Sequence, residues 1–166
     1  MTALHLRRPV ACPAAQAPCY LERFFAEHAE GDVAVLALRA PIGMPGFPEV
    51  TLARDCIVKI ARHDRRAAMI AAYDVQWESA GGGPFPRLRG TLSLPNDEDY
   101  DSCFLALDGT YEPPLGAAGA AFDAVVGHAV AQTTANDLLE RIAEYLEHSY
   151  HITEAAKAEK RAARTS

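Results

Sequence analysis

The chain has 166 residues, 49% of them apolar and 23% charged, with a formal net charge of -6 at pH 7. That length suits one domain, able to bury roughly two thirds of its unfolded surface in a single core. The acidic balance argues against the basic face that a nucleic-acid binder needs and disfavours docking on anionic lipid.

Cys12, Cys19, Cys56 and Cys103 are widely spaced, with no C-x-x-C pair and no clustered histidines. That pattern predicts no zinc site or other metal site and no disulfide framework, and no cofactor is expected. The N-terminus "MTALHLRRPVACPA" has two arginines but no apolar stretch behind them, so no signal peptide is evident and a reducing cytoplasm is the expected location.

In chain order, a first strand is expected from about His5 to Cys12. "PCYLERFFAEHAEG" then places Leu21, Phe24, Phe25 and His28 at helical spacing, with Gly31 where a left-handed cap belongs. The spacing predicts a helix from about Pro18 to Glu30. Four extended segments follow. "VAVLALR" (33–39) is a short apolar run, and within the loop "APIGMPGFPE" after it "GMPGFP" (43–48) could be a lid or a plain connection. "VTLARDCIVKI" (50–60) puts Val50, Leu52, Cys56, Val58 and Ile60 on one face. In "AAMIAAYDVQW" (67–77), Met69, Tyr73, Val75 and Trp77 share a face, and in "RLRGTLSLP" Leu88, Leu92 and Leu94 oppose Arg87, Arg89, Thr91 and Ser93. Period two with one wet face predicts an antiparallel sheet covered on one side. Gly90 falls on the apolar face, which favours a bend there. "NDEDYD" reads as a solvated turn before a last strand, 102–111, which ends at Pro113 and Pro114.

The cover is a C-terminal helix from about Leu115 to Tyr150. At 3.6 residues per turn, Ala124, His128, Ala131, Ala135, Leu138, Leu139, Ile142 and Leu146 fall on one stripe, small side chains early and large ones late. A second apolar face, Phe122, Val125, Val126 and Val130, occupies only its first half. Residues 113–136 carry a single charge, Asp123, yet hold too many prolines, glycines and polar residues for a membrane span. Residues 1–150 form one domain in this reading, and 151–166 a charged tail that frays. A helix that is narrow at one end and bulky at the other, laid over a concave sheet, leaves a gap beneath its middle.

The order strand, helix, antiparallel strands, long C-terminal helix resembles the START-like, helix-grip superfamily, also called SRPBCC. The resemblance is most specific in "LALDGTYEPPLGAAGAAFDAVVGHAVAQTTANDLLERIAEYLE" and extends to "WESAGGGPFPRLRGTLSL". It is similar to bacterial polyketide cyclase/dehydrase and lipid-transport members, which implies an α+β domain: a curved antiparallel sheet of six or seven strands around a long C-terminal helix, with a short N-terminal helix. It also implies an apolar cavity, but no shared catalytic residues.

Within that frame the cavity lining is expected from Arg54, Cys56, Met69, Tyr73, Trp77, Leu92 and Leu107 on the sheet and Ala124, His128 and Ala131 on the helix. His128 is either a donor or general base for a ligand, or a packed core histidine. Arg54 either meets a ligand carboxylate or snorkels to water. Tyr73, Trp77 and Met69 are either cavity wall or core. Three functions follow: binding or transport of a small apolar ligand such as a lipid, isoprenoid or polyketide-like molecule; a cyclase, dehydratase or isomerase in which His128, with or without Tyr73, moves a proton; or an interaction module with a filled core that works through Phe122, Val126 and Val130. A homodimer is compatible with any of them.

Overall fold

The computed structural model describes residues 2–42, 50–63, 70–81, 87–112 and 128–165. Seven strands form one open sheet: β1 (Thr2–Val10), β2 (Ala29–Glu30), β3 (Val33–Ile42), β4 (Val50–Arg62), β5 (Ala72–Ser79), β6 (Arg87–Ser93) and β7 (Cys103–Glu112). Their order is β1-β7-β6-β5-β4-β3-β2, antiparallel at every step. Helix α1 (Ala17–Glu27) and helix α2 (His128–Thr165) complete the α+β helix-grip arrangement that the sequence predicts.

Period two is plain in β5, where Tyr73, Val75 and Trp77 are buried and Asp74, Gln76 and Glu78 are exposed. The register aligns inner residues into rows across the sheet. One row runs Tyr111, Leu88, Trp77, Val58 and Ala34, all buried. Another runs Leu6, Leu107, Leu92 and Tyr73. Between them Gly90 pairs with Gly109. A Cβ on Gly90 would lie 2.5 Å from the Asp108 carbonyl oxygen, and one on Gly109 would lie 2.7 Å from that of Arg89. The two backbones approach more closely than any side chain permits, which is why glycine stands at both positions.

Helix α2 buries Ala131, Ala135, Leu138, Leu139, Ile142 and Leu146, the predicted stripe over its described length. It rests mainly on β1 and β3, strands near opposite edges of the sheet, so the sheet curls around it. Polar side chains fasten both sides. Toward β1, Arg8 pairs with Glu140 at 2.9 Å and the Ala11 N–H donates to Glu147 at 2.9 Å. Toward β3, the Arg39 N–H donates to Asp137 at 3.0 Å and Arg141 donates to the Ala37 carbonyl at 2.7 Å. Asp137 and Arg141 thus occupy backbone groups that an edge strand would otherwise offer to another chain. The double variant Asp137→Ala/Arg141→Ala is expected to lose about 1–2 kcal/mol and to self-associate at high concentration. Urea titration and light scattering check this, and an unchanged monomer at the same stability would refute the edge-guarding role.

Helix α1 packs Tyr20, Leu21, Phe24 and Phe25 into the core. Phe24 meets the Tyr145 ring edge-on at 5.4 Å, and the Tyr145 hydroxyl donates to Glu27 at 2.6 Å.

Three expectations need correction. Gly31 is left-handed, with φ of 67°, but it forms the two-residue β2–β3 turn with Asp32; the helix ends earlier, at Glu27. The C-terminal helix, expected to end near Tyr150, continues to Thr165, with its side chains exposed from 155 to 164. Its Ala, Glu, Lys and Arg content favours helix without burial, and Arg164 suits the negative helix end. Val130, assigned to an interaction face, is buried. The lid candidate 43–48, Met69, Pro113, Pro114, the glycines at 116 and 119, Phe122, Ala124, Val125 and Val126 lie outside the described residues.

Candidate functional site

The inner face of the sheet gathers the sequence-predicted residues into three places. The first is the row that carries Trp77. Its indole reaches the interior because β5 alternates without interruption from Tyr73, and Trp77 is 2% exposed. At the described start of α2, His128 faces the same row, its ring centroid 5.8 Å from that of Tyr111. Trp77 Nε1 and His128 Nδ1 are both buried and, among the described residues, have no hydrogen-bond partner. A buried polar atom left unpaired costs about 1–3 kcal/mol, so two together mark an interior not optimised for stability alone. Ala131 lies three residues along the helix from His128, fully buried.

The second place is the far row. Leu92 and Leu107 are buried there, and Tyr73 is 2% exposed. The Tyr73 hydroxyl donates to Glu22 of α1 at 3.1 Å, and Glu22 also holds Arg62 at 3.0 Å. Burial, then the Glu22 carboxylate, pushes the Tyr73 phenol up to about 12. Tyr73 therefore ties α1 to the sheet with its hydroxyl already engaged.

The third is the middle of β4. Cys56 is fully buried, its Sγ 3.6 Å from the Arg54 carbonyl oxygen. Arg54 is half-buried and borders an open groove of about 540 Å³ with Ala53, Asp55 and Ser79. It stands at the rim, with a route for its guanidinium to water.

Tyr111 was missed in the sequence reading. The alternation Cys103, Leu105, Leu107 continues through Gly109 to Tyr111, and that was the available signal.

Burial raises the thiols of Cys12 and Cys56 to about 12 and that of Cys103 to about 11, while Cys19 is exposed. Iodoacetamide at pH 8 is expected to add one label, at Cys19, to the native chain and four in denaturant, read by intact mass. Labelling of Cys56 in the native chain would show that the interior opens. The same burial sets an alkaline limit. An unfolded thiol ionises near 9.0 and the folded ones at about 11 to 12. Above pH 9 the unfolded chain releases protons that the native chain keeps, so stability is full below that pH and falls as pH rises toward 11.

Among the described residues no helix is long and apolar enough to cross a membrane. The fold defines the class of the molecule: a helix-grip α+β domain with an apolar inner sheet face under the start of its long helix. TTHA0849 from Thermus thermophilus is similar in structure at 15% identity, with a TM-score of 0.51 over 89% of this chain and 99% of its own. A conserved protein from Geobacillus kaustophilus shares 15% identity over 86% of this chain and 96% of its own, with a TM-score of 0.47. The first of these supports the fold alone. Neither the protein-family models nor the curated proteins give a match.

Proposed function

We propose that the chain is a START-like carrier that binds a small apolar molecule between the sheet and helix α2. The observation that carries this reading is the Trp77 indole N–H: fully inside an apolar row, a donor with no acceptor among the described residues. A ligand oxygen removes that cost, and the surrounding Leu88, Val58 and Tyr111 supply apolar contact. The element order and the "GTYEPPLG" to "LLERIAEYLE" resemblance add support for the SRPBCC type. A proton-transfer role for His128 needs an oriented partner, and among the described residues none bonds its Nδ1.

The test is native mass spectrometry of protein purified from its own host. The expected spectrum contains the chain plus a retained small molecule, released on denaturation. A bare chain mass under both conditions, with a Trp77 indole NMR signal unmoved by added 2-acetylnaphthalene, would leave the carrier reading without basis.

A further inference from the structure

The polar atoms at this site restrict the chemistry of what it holds, an argument that rests on the carrier reading above. Indole Nε1–H is a donor only, so the group facing Trp77 is an acceptor. The imidazole Nδ1 of His128 is a donor in one tautomer and an acceptor in the other, so it matches a hydroxyl in either state. Trp77 and Tyr111 sit two strands apart in one row, with Leu88 between them, which places their backbones about 9.5 Å apart. The His128 ring lies beside that of Tyr111, tilted by 41° with centroids 5.8 Å apart, so the two unpartnered atoms belong to one end and the middle of the same row.

Charge narrows the class further. The row from Tyr111 to Ala34 carries no ionisable group except the Tyr111 phenol, and the adjacent row is Leu4, Gly109, Gly90, Val75 and Ile60. Arg54 lies four residues along β4 from Val58, about 13 Å away. Among the described residues of these two rows no fixed positive charge faces Trp77, so an anion there would be stripped of water without a countercharge from them.

We infer that the ligand is a neutral, mainly apolar molecule with a carbonyl-type oxygen at Trp77 and a hydroxyl at His128. It is not a hydrocarbon, and it does not seat a carboxylate at Trp77.

The test compares 2-ethylnaphthalene, 2-acetylnaphthalene, 6-hydroxy-2-acetylnaphthalene and 2-naphthoate at pH 8 by calorimetry. The expected order is a gain of about tenfold for the ketone and again for the hydroxyl, with 2-naphthoate weaker than the ketone by at least that factor. Trp77→Phe is expected to erase the first gain and His128→Leu the second, while 2-ethylnaphthalene binds as before. Because the chain has one tryptophan, its indole N–H resonance gives a readout without mutation. It should move downfield with the ketone and not with the hydrocarbon. Equal affinity across the series, or 2-naphthoate binding as tightly as the ketone, overturns the inference and leaves the carrier reading standing. If no probe binds, both fall.

Discussion

Gly90→Ala is expected to lower the unfolding free energy by about 3 kcal/mol, the upper end of the usual cost of overpacking. The new methyl would meet the Asp108 carbonyl oxygen at 2.5 Å and the Gly109 Cα at 2.8 Å. Both obstacles are backbone, so relief requires prising β6 from β7 rather than turning a side chain. In a domain of this size the loss corresponds to a melting temperature roughly 6–12 °C lower. Gly31→Ala provides the contrast. Nothing lies within 4 Å of its Cβ position, but its φ of 67° disfavours any side chain. That variant should lose only about 1 kcal/mol. Thermal and urea unfolding of the two variants side by side decide the matter. A Gly90→Ala protein within about 0.5 kcal/mol of wild type, the range of an indifferent surface site, would mean that the ladder spreads freely there.

Leu139→Ala is the second large effect, a loss of about 3–4 kcal/mol. Leu139 is 1% exposed within the continuous core that joins α2 to the sheet. Removing its isobutyl group forfeits the transfer free energy and leaves a cavity whose walls belong to several elements. Alanine's better helix propensity returns only about a few tenths of a kcal/mol. On the same helix Ile152 is 56% exposed, and Ile152→Ala should change stability by less than about 0.5 kcal/mol. Equal urea midpoints for the two variants would contradict the assignment of the late leucines as the seat of the helix.

What the sequence made legible was local and periodic. Alternation in β5 and β6 located the inner face correctly, because each side chain there answers to a single buried surface. The stripe from Ala131 to Leu146 was legible for the same reason. Gly31 was read correctly as a left-handed residue and assigned to the wrong element, since a helix cap and a tight hairpin turn demand the same backbone angle. The polar fastenings of α2 were not legible. Asp137 and Arg141 stand four apart, like any solvent-facing pair, and their partners Arg39 and Ala37 are about a hundred positions away in the chain. The site was half legible. Trp77 and His128 could be placed on inward faces, but that they meet one row, and that neither polar atom has found a partner, depends on the register of β5 through β7.

The position of α2 in the chain governs how synthesis and folding are timed. β1 precedes its ladder partner β7 by about a hundred residues, and the helix that fastens β1 and β3 follows both. At about 5–20 residues per second a ribosome holds the unfinished sheet open for several seconds. During that interval β1 lacks its ladder partner, and its backbone groups are open to other chains. Only once α2 has followed are β1 and β3 held together across the inner face of the sheet.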